Sequence, residues 1–184
     1  MQRLSAAILR QTQVPHGPAA KRPERVLQFG EGAFLRAFVD QMIDAGNAAG
    51  AFNGSVVVVQ PIERGQTHLL DAQDGLYTLV LRGKQGGRVV RDTRIITSIS
   101  RTVNPYADYE AFLACAKNPD LRFIVSNTTE AGIVYTGADG FDDAPQASFP
   151  GKLTRFLYER YLAYGTEPGM GFVLLPCELI DRNG

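Results

Sequence analysis

The sequence predicts an α/β fold, a doubly wound and mostly parallel sheet with helices on both faces and an inserted antiparallel β-hairpin. Three observations carry this. A short apolar run at 26–29 enters Gly30-Glu31-Gly32, after which Phe34, Leu35, Phe38, Val39, Met42 and Ile43 recur at helical spacing. A continuous β-branched run, Val56-Val57-Val58-Val59, has the composition of a strand with both faces covered. Two runs at 76–81 and 88–96 alternate apolar with polar residues on either side of a glycine-rich 83–87.

Taken in order, residues 1–24 read as an arm with one helical turn near Leu4 and Leu9, ended by Pro15, Gly17 and Pro18 and able to wrap a partner domain. Residues 25–184 form the domain itself. Its first strand, tight turn and helix give way at Asn53-Gly54 to a second strand at 55–60, so the opening unit is βαβ. The hairpin follows as an insertion. Asn104-Pro105 then caps a helix through Tyr109, Phe112, Leu113 and Ala116, and Asn118-Pro119-Asp120 leads into a strand at 121–126. After a polar loop come a helix at 150–164, with Leu153, Phe156, Leu157, Tyr161 and Leu162 on it, and a buried strand at 171–175. Right-handed crossovers bring the C-terminal ends of the strands, and any ligand, to one edge of the sheet.

Composition narrows the function classes. Hydrophobic residues make up 45% and charged residues 21%, an ordinary globular mixture. Lys+Arg and Asp+Glu balance at 19 each, without the basic excess that neutralises a phosphate backbone, so a small molecule is expected and not nucleic acid. No stretch has membrane-spanning length, and the start lacks the apolar core and cleavage site of a secretory signal, so a cytoplasmic location is expected. Cys115 and Cys177 read as free thiols, and His16 and His68 are too isolated to suggest a metal site.

The chemistry centres on the first turn. A dinucleotide pyrophosphate needs backbone amides at a helix N-terminus and a turn bare enough for close approach, and Gly30 and Gly32 sit where that requires them. The third glycine of the usual Gly-x-Gly-x-x-Gly is replaced by Leu35, and two turn glycines without a ligand are the plainer alternative; their place at the first βα junction favours the ligand. The second strand ends in Gln60 where an acid would hold the adenosine ribose. Glu63 suits the ribose diol of NAD and Arg64 the 2′-phosphate of NADP, so cofactor choice stays open, each being otherwise a solvated loop charge.

The run from Leu27 to Phe38, which includes Gly30-Glu31-Gly32-Ala33-Phe34-Leu35-Arg36-Ala37, resembles the glycine turn of the polyol-specific long-chain dehydrogenases, the mannitol dehydrogenase family, which also lacks the third glycine. Further blocks resemble the tagaturonate reductase branch of that family: 54–61, Gln73-Asp74-Gly75-Leu76-Tyr77-Thr78, 126–133, and Pro176-Cys177-Glu178-Leu179-Ile180-Asp181-Arg182-Asn183-Gly184. The resemblance implies a Rossmann-type NAD-binding domain and NADH-linked, metal-free interconversion of tagaturonate and altronate in hexuronate catabolism. It also implies a mainly helical C-terminal domain bearing a lysine acid/base with an asparagine and a histidine, so the chain is expected to end before them and to be inactive alone. An apolar face left uncovered by that domain would make it self-associate.

The same resemblance assigns the cofactor to Phe29, Gly30, Gly32, Ala33, Phe34, Gln60, Thr128 and Thr129. Asn183 corresponds to an asparagine that helps polarise the substrate carbonyl, and Glu130 to a glutamate at the active-site entrance that influences proton exchange. The plainer readings are a turn asparagine before glycine and a helix N-cap cluster. Arg36 and Lys152 could meet a phosphate or the substrate carboxylate, but single exposed cations are usually solvated, and both are expected to be so. Two other readings stay open: a non-catalytic nucleotide-binding or partner-binding domain, and a dehydrogenase of another polyol or keto sugar acid.

Overall fold

The computed structural model describes residues 3–17, 20–135, 137–181 and 183. Pro18, Arg182 and Gly184, named above, lie outside the described residues. The chain opens with α1 (Ala6–Leu9) and β1 (Glu24–Phe29), and α2 (Ala33–Ala37) and α3 (Val39–Ala48) return it to β2 (Ser55–Val59). Then come α4 (Thr67–Asp71), β3 (Tyr77–Gln85), β4 (Arg88–Ile96) and β5 (Ile99–Val103). The second half runs α5 (Tyr109–Cys115), β6 (Phe123–Ser126), α6 (Glu130–Ile133), α7 (Phe149–Tyr164) and β7 (Val173–Pro176).

Five strands form one sheet in the order β5-β2-β1-β6-β7, each pair of neighbours parallel. The order reverses between β1 and β6, and such a switch opens a crevice at the strands' C-terminal ends. Strand alternation sorts the core. Leu27, Phe29, Val57, Val59 and Ile124 face Phe112 and Phe156 of α5 and α7. Val26, Val56, Val58 and Val125 face Leu35, Leu70, Tyr77 and Ile96. The four valines of β2 are 0% exposed, and each contributes on the order of 2 kcal/mol of burial.

β3 and β4 form the expected antiparallel pair as a separate two-stranded sheet. Its reversal is made by Gly86 and Gly87, both at positive φ, whereas Gly83 lies inside β3. The arm packs on this pair: Ile95 N–H donates to the Pro15 carbonyl at 2.8 Å, and Leu9 is buried against Leu76 and Ile95. Leu4 and Val14 of the arm pack against the same small cluster.

Four local readings are corrected. The single helix after the glycine turn is two, broken at Phe38 (φ −114, ψ −72). Asp108, not Asn104-Pro105, caps α5 by accepting from the Ala111 N–H; Asn104 instead closes the preceding turn. β5, unforeseen, begins after Thr97-Ser98 and hid in sequence as the tail of the hairpin. Finally, β7 is not buried: Val173, Leu174 and Leu175 are each about half exposed, because β7 is the sheet's edge. On its β1 side an apolar groove of about 460 Å³ stays open, walled by Phe38, Met42, Phe123, Val125 and Leu175.

Candidate functional site

The first turn is built from two fixed points. Gly30 has φ +118, a conformation that L side chains rarely adopt, and its N–H donates to the Val59 carbonyl at 3.0 Å. Its carbonyl accepts from Gln28 Nε2 at 3.0 Å and so points into the protein. Gly32 then occupies the N-cap of α2, and the first N–H groups of that helix have no intrahelical acceptor. A Cβ on Gly32 would meet nothing within 4 Å, so the approach is open. Leu35, in place of the third glycine, is 1% exposed and packs with Val26, Val56 and Val58, holding the helix off the sheet by a side chain's width.

Beside the turn, at the β1/β6 switch, lies a cleft of about 440 Å³ lined by Phe29, Pro61, Asn127, Thr128, Thr129 and Phe149 among others. Thr129 caps α6, its hydroxyl accepting from the Gly132 N–H at 3.2 Å. A Cβ at Gly132 would meet Thr128 Oγ1, so a side chain there would turn the Thr128 hydroxyl out of its place. Phe29, Thr128 and Thr129 therefore meet in one cleft, with Gly30, Gly32, Ala33 and Phe34 on the adjoining turn. Glu130 is exposed in the first turn of α6, and Thr129 confirms the N-cap reading of that cluster.

Gln60 stands apart. Its Nε2 donates to the Ile62 and Glu63 carbonyls at 3.0 and 3.1 Å, and its Oε1 accepts from Thr67 Oγ1 at 2.7 Å. The side chain, 3% exposed, shapes the loop after β2. Glu31 ties that loop to the glycine turn by accepting from the Gln66 N–H at 2.7 Å, while Glu63 and Arg64 are exposed.

The C-terminal segment is bound to the cleft by residues the sequence did not single out for a role. Asn127 Nδ2 donates to the Cys177 carbonyl at 2.7 Å, and the buried Glu178 accepts from the Thr128 N–H at 3.2 Å. Asn183 Nδ2 donates to the Glu178 and Pro176 carbonyls at 2.9 and 3.2 Å. Asn183 is exposed and shares the sheet edge with Thr128 through Glu178.

Of the two cations expected on the surface, Lys152 is buried and Arg36 partly so. Lys152 is 0% exposed; its Nζ donates to the Ala147 carbonyl at 2.9 Å and lies 5.1 Å from the Tyr106 ring centroid. Burial lowers its pKa to about 8 against the opposing pull of Asp139. Arg36 is half-buried, with its guanidinium over the Tyr77 ring at 5.5 Å. Among the described residues no group of three or more His, Cys, Asp or Glu is placed to hold a metal ion, and no helix is long and apolar enough to cross a membrane.

A parallel sheet with a glycine turn at its first strand and a cleft at its switch point defines a nucleotide-binding α/β domain. The family model for the mannitol dehydrogenase Rossmann domain matches residues 24–184, and the chain belongs to that family. It is 52% identical over 168 residues to an altronate oxidoreductase of Klebsiella pneumoniae subsp. pneumoniae, a match covering 91% of this chain and 35% of that protein. An altronate oxidoreductase of Escherichia coli O7:K1 is 51% identical over the same length. The chain thus spans about a third of the curated relatives it matches. In fold it is similar to Pseudomonas fluorescens mannitol 2-dehydrogenase, solved as a ternary complex with NAD and D-mannitol (TM-score 0.79, 21% identity, 96% of this chain and 39% of that one).

Proposed function

We propose that the chain is the NAD-binding region of an oxidoreductase that interconverts tagaturonate and altronate. The observation that carries this is the cleft at the β1/β6 switch, where Phe29, Thr128 and Thr129 converge beside a glycine turn whose carbonyl is turned inward. The residues fit a dinucleotide: open space faces Gly32, and the amides starting α2, which no side chain caps, are left to a diphosphate. The altronate oxidoreductase similarity supports the substrate pair.

In this reading Gly32, Ala33 and Phe34 hold the pyrophosphate, Gly30 shapes the turn with its own N–H given to the Val59 carbonyl, and Phe29, Thr128 and Thr129 flank the nicotinamide side. Gln60 acts from behind, by shaping the loop that meets the adenosine ribose. When bound, the cofactor supplies a hydride to the keto carbon. The developing oxyanion needs a hydrogen-bond donor and a proton. Asn183 is the donor from this region once its Nδ2 gives up the longer of its two contacts, that to the Pro176 carbonyl at 3.2 Å; Glu130 lies at the entrance, and a helical continuation supplies the proton.

The test is titration of the chain with NADH and NADPH side by side. Saturable NADH binding below about millimolar concentration, weaker for NADPH, is expected. A folded chain that binds neither overturns the proposal.

A further inference from the structure

Behind the glycine turn lies a buried polar cluster that cofactor contact does not explain. Gln28 is the one polar side chain in the centre of β1 and is 0% exposed; Asp40 of α3, also 0% exposed, faces it. Gln28 Nε2 has two hydrogens. One goes to the Gly30 carbonyl at 3.0 Å and the other points at Asp40 Oδ2 at 3.5 Å. Tyr77 has one and two acceptors in reach, the Arg36 carbonyl at 2.6 Å and Asp40 Oδ2 at 3.4 Å; with the hydrogen on the nearer carbonyl, a hydrogen bond across the longer contact has to come from the carboxyl. Asp40 Oδ1 and Gln28 Oε1 are buried without a donor, which an ionised carboxylate tolerates poorly.

We propose that Asp40 is a neutral acid in the folded chain, donating to Tyr77 and bracing Gln28. So braced, the Gln28 amide keeps the Gly30 carbonyl turned inward and the amides of the turn facing outward. Asp40 and Gln28 are then positioning residues, and this role rests on the cofactor reading above.

The surroundings agree. Arg36 from α2 is the cation nearest in effect, but its guanidinium is engaged over the Tyr77 ring. Asp44, one turn on, is a second buried acid, whose Oδ1 accepts from Thr97 N and Oγ1. The Asp40 main-chain carbonyl is held by Ser98 Oγ at 2.9 Å. Burial raises the Asp40 carboxyl to about 7, against the hydrogen bond from Gln28 and the charge of Arg36.

Two readouts test this on the whole 184-residue chain. The first is the carboxyl ¹³C titration of Asp40, expected near pH 7; an ordinary midpoint near 4 overturns the neutral acid whatever the cofactor does. The second is NADH affinity from pH 6 to 9. The parent is expected to weaken about three- to tenfold as Asp40 ionises. Asp40→Asn, whose amide still donates, gives a flat profile, while Gln28→Leu weakens binding at every pH. Identical profiles for parent and Asp40→Asn, or no change in Gln28→Leu, overturn the positioning role. No NADH binding by the parent overturns the cofactor reading and that role together, while the ¹³C titration still decides the neutral acid.

Discussion

Glu178 and Thr128 are fifty residues apart in sequence, and the Glu178 carboxylate accepts from the Thr128 N–H at 3.2 Å. This contact ties the segment after β7 to the loop after β6. It makes the C-terminal edge of the sheet one unit, with Asn183 on it through its hydrogen bond to the Glu178 carbonyl.

Removing that tie leaves the Thr128 amide without its partner. Glu178→Ala is expected to cost about 1–3 kcal/mol of stability, read by denaturant unfolding, and to weaken NADH binding. Glu178→Gln keeps an acceptor oxygen and should recover most of both. An alanine variant as stable and as tight as the parent would show the tie to be incidental.

Lys152 makes stability depend on pH in the alkaline range. Its folded pKa, lowered by burial to about 8, lies below the ordinary lysine value of 10.5, so the native state favours the neutral amine. This contribution is complete above 10.5 and is lost as pH falls through 8, a slope of about 1.4 kcal/mol per pH unit between them. The readout is the difference between the parent and Lys152→Met, which should lack that slope. Parallel curves would place the ammonium in water.

The open groove between α3 and β7 predicts association. With Phe38, Met42 and Leu175 each about half exposed, sedimentation velocity should show the average mass rising with concentration, and Leu175→Lys should reduce the rise. A clean monomer at high concentration would show that the groove does not drive contact between copies.

The parts of the fold legible in sequence were those with a period. The run at 26–29, the four valines of β2 and the apolar positions of α7 each declare one element, and the first two place the glycine turn. What escaped depends on contacts distant in sequence. Asp40 and Asp44 look like the polar side of an amphipathic helix, and only the hairpin folding over α3 makes that side an interior. Gln28 carried a usable signal, since a polar residue in a strand covered on both faces must find a partner. Lys152 carried none: its burial follows from the loop at 139–148 closing over it. β7 misled because an apolar run reads the same in a central strand and at an edge.

An amide ¹H–¹⁵N spectrum recorded while NADH is added reads the glycine turn itself. If the turn after β1 grips a diphosphate, the amides of Gly32, Ala33 and Phe34 should shift progressively and saturably, with Thr128 and Thr129 following. Unmoved turn amides, with binding registered elsewhere or nowhere, would contradict it.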